Sequence, residues 1–210
     1  MTGVFSFIDD EESLSKLCEQ LESSKWLAVD TEFERVSTYY PELCLVQVSN
    51  GDTTAVIYPI TIVDIAPLLN LLYEPSITKV LHSAHQDLEI FFNIRESVPT
   101  PLFDTQLAAP LLGYAQGVGY GNLVNAVLNI ELEKGHARAD WKRRPLTEDM
   151  LRYAADDVIY LGKLYEVFVE KLKSIKDQTS LNEKLAKLVK VETYKPEPNL
   201  MWNKMFAAKK

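Results

Sequence analysis

A short apolar run ends in two acidic residues near the start of the chain. Trp26 to Val29 are apolar, which is typical of a strand buried on both faces of a sheet, and Asp30 and Glu32 follow directly. Strand residues two apart share a face, so both carboxylates point the same way. Like charges raise each other's pKa, and a cation that prefers oxygen ligands, such as magnesium or manganese, would compensate. A solvated acidic turn is the alternative, so further acids must decide.

The composition is that of an ordinary soluble globular domain. Of the 210 residues, 47% are hydrophobic and 25% are charged. No apolar run approaches the roughly 20 residues of a membrane span, and the N-terminus lacks the features of a signal peptide. Two cysteines fit a reducing compartment, so we expect a cytoplasmic protein without membrane association. The net charge of −8 argues weakly against a nucleic-acid partner, but bound divalent cations would offset several acids.

The hydrophobic periodicity predicts a mixed α/β fold. Three strands are followed by alternating helices and strands, and then by helices, which indicates one sheet flanked by helices. The first strand is the most apolar and should lie centrally, and an Asn-Gly-Asp turn at 50–52 should join the second and third strands. The predicted strands are 26–30, 43–48, 54–58, 78–82 and 102–104. The predicted helices are 9–23, 64–73, 84–93, one that follows the last strand and ends at 112, 122–132, 148–175 and 181–191.

Two further acids are candidates for the same site. Asp87 lies in the first turn of a predicted helix, where the helix dipole favours a carboxylate. Tyr153 and Asp157 are four residues apart on a predicted helix and share a face. Each observation alone has a structural explanation. Together, four acids on strand and helix ends could hold two divalent cations about 3.5–4 Å apart, as in two-metal phosphodiester cleavage.

Three segments resemble the exonuclease motifs of the DEDD superfamily in order and spacing. They are DTEFER, HSAHQDLEIF and YAADDVIYL, and the Tyr153–Asp157 pair is typical of the tyrosine (DEDDy) branch. Other segments narrow the resemblance further: TYYPEL, PLFDTQLAA and RPLT are similar to ribonuclease D. The resemblance covers residues 25–165, and no motif acid is missing.

The resemblance implies a ribonuclease-H-like 3′-5′ exonuclease fold with a five-stranded mixed sheet. It implies a metal-dependent 3′-5′ exoribonuclease that removes nucleotides from RNA 3′ ends, such as those of tRNA precursors and small stable RNAs, and releases 5′-monophosphates. Two Mg²⁺ or Mn²⁺ ions would be the cofactors. The resemblance assigns the metal to Asp30, Glu32, Asp87 and Asp157, and Tyr153 would orient the attacking water as a further catalytic residue.

Several other residues are candidates for contact with RNA. A dense basic stretch precedes the third motif, and phosphate contact and a solvated loop are equal alternatives for it. Adjacent tyrosines could stack a terminal base or pack at the rim of the core. Phe33 would wedge against the terminal nucleotide, and Gln86 would contact its sugar. The predicted substrate-binding residues are Phe33, Tyr39, Tyr40, His85, Gln86, Arg138, Lys142, Arg143 and Arg144.

The alternatives are other nucleases and a binding module. A Werner-type 3′-5′ DNA exonuclease carries the same four acids, and an exoribonuclease acting on short RNAs is also consistent with the motifs. A non-catalytic nucleic-acid-binding module is disfavoured because all four acids are present. We expect an exonuclease domain at 1–175 and a C-terminal helical extension at 176–210, which could begin a helical RNA-binding domain of a longer chain. The sequence leaves the oligomeric state open.

Overall fold

One six-stranded mixed sheet forms the centre of the protein. The structure is a computed structural model that describes residues 4–35, 40–133, 135–136 and 139–195. The strands are β1 (Ser6–Ile8), β2 (Trp26–Glu34), β3 (Glu42–Ser49), β4 (Thr54–Ile57), β5 (Thr78–Leu81) and β6 (Leu102–Asp104). Their order in the sheet is β1-β4-β3-β2-β5-β6, which places β2 in the interior as predicted.

Helices cover both faces of this sheet. They are α1 (Glu11–Leu21), α2 (Ala66–Tyr73), α3 (His85–Arg95), α4 (Thr105–Ala108), α5 (Tyr120–Leu128), α6 (Glu148–Leu172) and α7 (Thr179–Leu188). Two 3₁₀ turns lie at Ala109–Leu112 and Val191–Thr193. Thr147 caps α6, and its side chain accepts a hydrogen bond from the backbone N–H of Met150. The predicted α/β class is therefore confirmed.

The sheet combines a meander with parallel crossovers. β2, β3 and β4 pair antiparallel in chain order, whereas β5 lies parallel to β2 and β6 lies parallel to β5. All five predicted strands form. β1 is the sixth, and it pairs parallel with β4 through only three residues, two of which are exposed. So short a strand has too little apolar alternation to be recognised in the sequence.

The alternation of side chains along β2 separates its two faces. Leu27 and Val29 belong to the larger core cluster, together with buried residues of α1, α2 and α3. Ala28 faces the opposite side, where it packs with Val158 and Leu161 of α6. Asp30 and Glu32 share the face of Ala28, so both carboxylates project toward α6.

Close packing holds α6 against β2. A Cβ atom at Gly162 would lie 2.8 Å from the ring of Trp26, closer than real contacts allow. Glycine at this position therefore lets the helix approach the strand, and the approach fixes the distance between α6 and the acids of β2.

The C-terminal described residues pack onto the rest of the chain. Leu181 of α7 is buried with Phe168 and Leu172 of α6, and Tyr194 joins the larger core cluster. The division into domains at residue 175 stays a prediction. Among the helices the structure describes, none has both the length and the apolar character needed to cross a membrane.

Candidate active site

Three carboxylates from two elements converge beside the central strand. Asp30 and Glu32 come from β2 and Asp157 comes from α6, and one oxygen of each lies within 4.8 Å of the other two. All three are partly buried. The strand supplies two of them by its alternation, and the helix supplies the third because Gly162, further along α6, packs against Trp26.

Asp87 approaches this cluster from the other face of the sheet. It lies in the first turn of α3 and is 7% exposed. The hydroxyl of Thr31, the residue between the two β2 acids, donates a hydrogen bond of 2.6 Å to Asp87 Oδ1. This bond ties the α3 carboxylate to the strand that carries Asp30 and Glu32.

A buried acid that the sequence did not single out fixes the start of α3. Asp104, at the end of β6, accepts hydrogen bonds from the backbone N–H groups of Ser83 and Ala84 at 3.2 and 2.9 Å. Its Oδ1 also accepts from Gln106 and Leu107 and so caps α4. Asp104 thus holds the turn that delivers Asp87, and its donors give it a structural role.

The predicted pair on α6 shares one face of that helix. Tyr153 lies one turn before Asp157, and both side chains line the same cleft. The hydroxyl of Tyr120, the first residue of α5, donates a hydrogen bond to the backbone carbonyl of Asp157. No local pattern in the sequence indicates this contact, since 37 residues separate the two positions.

The electrostatics of the cluster oppose full ionisation. Burial and the negative charges of the neighbouring acids together raise the pKa of Asp30 well above its usual range. The same two causes raise the pKa of Glu32 to about 9. Burial raises the pKa of Asp157 to about 7 and that of Asp87 to about 6, although the Thr31 hydroxyl opposes the second shift. Burial and Asp157 also raise the pKa of Tyr153.

These residues fit a divalent cation with oxygen ligands. The donors are carboxylates only, without sulfur or imidazole, which suits magnesium or manganese better than softer metals. A bound cation would favour the ionised acids and so counteract their raised pKa values. Asp30, Glu32 and Asp157 would hold it directly, with Asp87 at the side of the cluster.

A cleft of about 410 Å³ opens over the acids. Phe33 and Gln86, two of the predicted substrate contacts, line it. Its wall also contains residues without a predicted role in binding: Thr31, His82, Ser83, Tyr120 and Leu161. His82 Nδ1 lies 2.9 Å from Thr105 Oγ1, and the same residue lines the cleft.

A second cavity of about 760 Å³ shares three residues with the cleft, namely Tyr120, Tyr153 and Asp157. It runs along the start of α5, where Asn122 and Asn125 line it, to Glu131 and Glu133. No lysine or arginine is among its described lining residues. The two cavities together form a path past the carboxylates.

Three of the predicted basic contacts, Lys142, Arg143 and Arg144, are not among the described lining residues of either cavity. Lys142 forms an ion pair with Glu42. The guanidinium of Arg144 lies over the Tyr58 ring at 3.7 Å and donates to the carbonyls of Trp141 and Arg143. Lys142, Arg143 and Arg144 are exposed. Their contact with RNA stays a prediction.

Of the remaining predicted contacts, His85 begins α3 and Tyr40 lies beside that helix. The ring of His85 packs against that of Tyr194, with 5.2 Å between centroids. Tyr40 borders a separate cavity beside Phe92. Tyr39 and Arg138 lie outside the described residues.

Comparison with known proteins identifies the family to which the fold belongs. A family profile described as "3'-5' exonuclease" matches residues 5–173. The chain therefore belongs to the 3′-5′ exonuclease family. Within that family the resemblance is to ribonuclease D, as the motifs predicted. The chain is 46% identical over 172 residues to ribonuclease D of Shewanella sp. (strain ANA-3), a match that covers 82% of this chain and 44% of that protein.

Solved structures show the same relationship. The chain is similar to Escherichia coli RNase D with a TM-score of 0.82 and 37% identity, over 93% of this chain and 52% of that one. It is similar to Brucella melitensis NrnC with bound Mg²⁺ with a TM-score of 0.74 and 26% identity, over 92% of both chains. The chain spans about half the length of the curated ribonuclease D relatives it matches.

Proposed function

We propose that this chain is a 3′-5′ exoribonuclease that hydrolyses the terminal phosphodiester bond of RNA with two Mg²⁺ or Mn²⁺ ions. The observation that supports this most directly is the meeting of Asp30, Glu32 and Asp157 within 4.8 Å at the floor of an open cleft. Ionised carboxylates this close together repel one another unless a cation is bound. The three acids also lie at the positions of the exonuclease motifs, which suits two-metal hydrolysis. The Mg²⁺ in NrnC supports the choice of metal.

Each acid has a role that follows from its position. Asp30 is close enough to the three other acids that each of them raises its pKa, and it would help to hold both ions, whereas Glu32 and Asp157 would complete the site beside the attacking water. Asp87, held by Thr31, would support the second ion directly or through water. When bound, the ions would lower the pKa of the attacking water and stabilise charge on the leaving oxygen.

Tyr153 would orient the water by hydrogen bonding. Burial and the neighbouring Asp157 raise the pKa of its hydroxyl, so the phenolate is scarce at neutral pH and a role as general base is disfavoured. The neutral hydroxyl can both accept and donate a hydrogen bond, which suffices to aim a water molecule. The Tyr153 ring packs against the ring of Trp141, with 6.3 Å between the two centroids.

The path of the RNA would follow the two connected cavities. The terminal nucleotide would occupy the cleft between Phe33 and Gln86, and the adjacent cavity beside α5 would take a neighbouring nucleotide. Because Glu131 and Glu133 line that second cavity, contact there would be made with bases and sugars rather than phosphates. The Asn122 and Asn125 amides supply suitable donors and acceptors.

RNA 3′ ends, including those of tRNA precursors, are the substrates expected from the similarity to ribonuclease D. Short RNAs are a second candidate class, since NrnC has been solved bound to pGG, a dinucleotide. A Werner-type DNA exonuclease is the alternative that the four acids leave open, and a cytoplasmic location remains part of the proposal.

The test is a cleavage assay with 5′-labelled single-stranded RNA. We expect a ladder shortening by one nucleotide at a time in Mg²⁺ or Mn²⁺, with 5′-monophosphates released. Matched DNA and RNA strands of two and twenty nucleotides would rank the substrate classes. Asp30→Ala should abolish cleavage without loss of the fold, and Tyr153→Phe should slow it by about 100-fold.

Two results would contradict the proposal. Cleavage that persists in excess chelator would exclude the metal-dependent mechanism. Undiminished activity of Asp30→Ala would remove the acidic cluster from the chemistry. Asp149→Asn is the matched control, because Asp149 is an exposed acid of α6 that lines neither cavity, and its activity should match the unmodified chain.

A further inference from the structure

A buried amide without hydrogen-bond partners lies directly beside the cluster. Gln47 is 0% exposed, and neither its Nε2 nor its Oε1 has a partner in the part of the chain that the structure describes. An unpaired buried amide destabilises the folded state, so proteins seldom retain one without a functional reason.

The sheet register places this amide next to Asp30. Gln47 of β3 is paired with Asp30 of β2 in the antiparallel ladder, and with Val56 of β4 on its other side. Residues directly opposite each other point to the same face, with Cβ atoms about 4.5–5.5 Å apart. The Gln47 side chain therefore lies under α6, on the face that carries both β2 acids.

A second unpaired donor lies in the same layer. The indole Nε1 of Trp141 is buried and has no partner among the described residues. Its ring packs in the cluster that contains Leu45 and Val56, the same-face neighbours of Gln47 along and across the sheet. In this layer the Gln47 amide oxygen can accept a hydrogen bond and the Trp141 indole N–H can donate one, and neither has a partner among the described residues. The Gln47 amide nitrogen also has N–H groups to donate.

We propose that Gln47 is a positioning residue for Asp30 in the metal-bound state. Its Nε2 donates to the Asp30 carboxylate and its Oε1 accepts from Trp141 Nε1–H, so that Trp141, Gln47 and Asp30 form one chain of hydrogen bonds. Outer partners of this kind orient metal ligands, and their loss typically lowers metal affinity about 10–100-fold. This inference rests on the proposed function, since it requires a cation at Asp30.

The test compares Gln47→Leu with the unmodified chain in Mn²⁺ titration calorimetry and metal-free thermal unfolding. Leucine keeps most of the volume and removes the amide. We expect the dissociation constant for Mn²⁺ to rise at least tenfold, whereas the metal-free melting temperature stays unchanged or increases. Gln47→Met is made in parallel, so that the comparison does not depend on one variant folding.

A structural pair elsewhere in the same sheet provides the control. Ser49 and Thr54 are buried and hydrogen-bonded to each other at 2.8 Å, away from the acids. Ser49→Ala should lower the melting temperature and leave Mn²⁺ affinity unchanged, the reverse of the pattern for Gln47→Leu. Both Gln47 variants binding Mn²⁺ as tightly as the unmodified chain would overturn the inference.

The indole N–H provides an independent readout. In a ¹H–¹⁵N spectrum, the Trp141 resonance, identified by its absence in Trp141→Phe, should move downfield on addition of Mg²⁺ and should not do so in Gln47→Leu. An unmoved resonance in a Mg²⁺-bound chain would argue against the hydrogen-bond chain. Failure of the unmodified chain to bind either metal would instead contradict the proposed function.

Discussion

The hydroxyl of Tyr120 donates a hydrogen bond to the backbone carbonyl of Asp157, and so joins the start of α5 to the middle of α6. The same tyrosine lines both cavities. This hydrogen bond restrains the backbone at Asp157, and with it the position of the Asp157 carboxylate relative to β2. Tyr120 therefore connects the wall of the proposed RNA path with the geometry of the metal site.

Replacing Tyr120 by phenylalanine should weaken catalysis more than stability. Loss of one hydrogen bond costs about 1 kcal/mol of unfolding free energy, whereas a small displacement of Asp157 should lower kcat about tenfold. Steady-state cleavage rates and urea unfolding of the same preparation would measure both.

Tyr73→Phe is the control, because the Tyr73 hydroxyl donates hydrogen bonds to the carbonyls of Phe91 and Ser97, and none of these residues lines the cleft. It should lose stability and keep kcat, and equal rates for the two variants would contradict the role of Tyr120.

Asp30→Asn should stabilise the metal-free protein while abolishing cleavage. Asp30 lies beside Glu32, Asp87 and Asp157, and burial together with these acids raises its pKa well above the usual range. The asparagine variant has neither the buried charge nor its repulsion by the other acids. Its unfolding free energy at pH 8 should therefore be about 1–3 kcal/mol higher. Mg²⁺ should then add little further stability. Thermal unfolding with and without Mg²⁺ measures this, and a destabilised Asn variant would show that repulsion does not dominate.

The metal-free protein should lose stability as the pH rises from about 4 to about 9. Burial raises the pKa values of Asp87, Asp157 and Glu32 to about 6, 7 and 9, above the values near 4 of an unfolded chain. The folded state therefore binds more protons in this range, and the stability present below pH 4 is lost as the pH passes each folded value. Urea unfolding across this range in chelator would test it. Saturating Mg²⁺ should flatten the curve, and a flat curve in chelator would contradict the shifts.

Much of the fold follows from local patterns in the sequence. The apolar run at Trp26–Val29 predicts the central strand, and the turn at 50–52 predicts the hairpin, in which Gly51 adopts a φ of 96°. Both signals are contained within a few residues. β1 lacks such a signal, since its pairing with β4 depends on a partner about fifty residues away.

The site was predictable where spacing alone fixes side-chain direction. The alternation of Asp30 and Glu32 and the helical spacing of Tyr153 and Asp157 each place two groups on one face. Contacts between distant elements were not predictable in this way. Tyr120, Asp104 and Gln47 act through tertiary hydrogen bonding or cross-strand register, which no periodicity of the chain encodes.

The buried ammonium group of Lys79 gives a last prediction, which concerns stability alone. Its Nζ donates to the carbonyls of Glu74, Ile77 and Thr100 at 2.8, 2.5 and 2.7 Å. Lys79→Met keeps the volume but leaves these carbonyls without that donor, so we expect the unfolding free energy to fall by about 3 kcal/mol in urea unfolding at pH 7.5.

The pH dependence of this difference tests the burial of the amine. Burial lowers the pKa of Lys79 to about 8, so the unmodified chain gains stability relative to the variant between pH 8 and about 10, and the difference should widen there. The exposed Lys173→Met is the control and should change the unfolding free energy by less than about 0.5 kcal/mol. A difference that narrows as the pH rises would show that the lysine is not held as a partly neutralised buried donor.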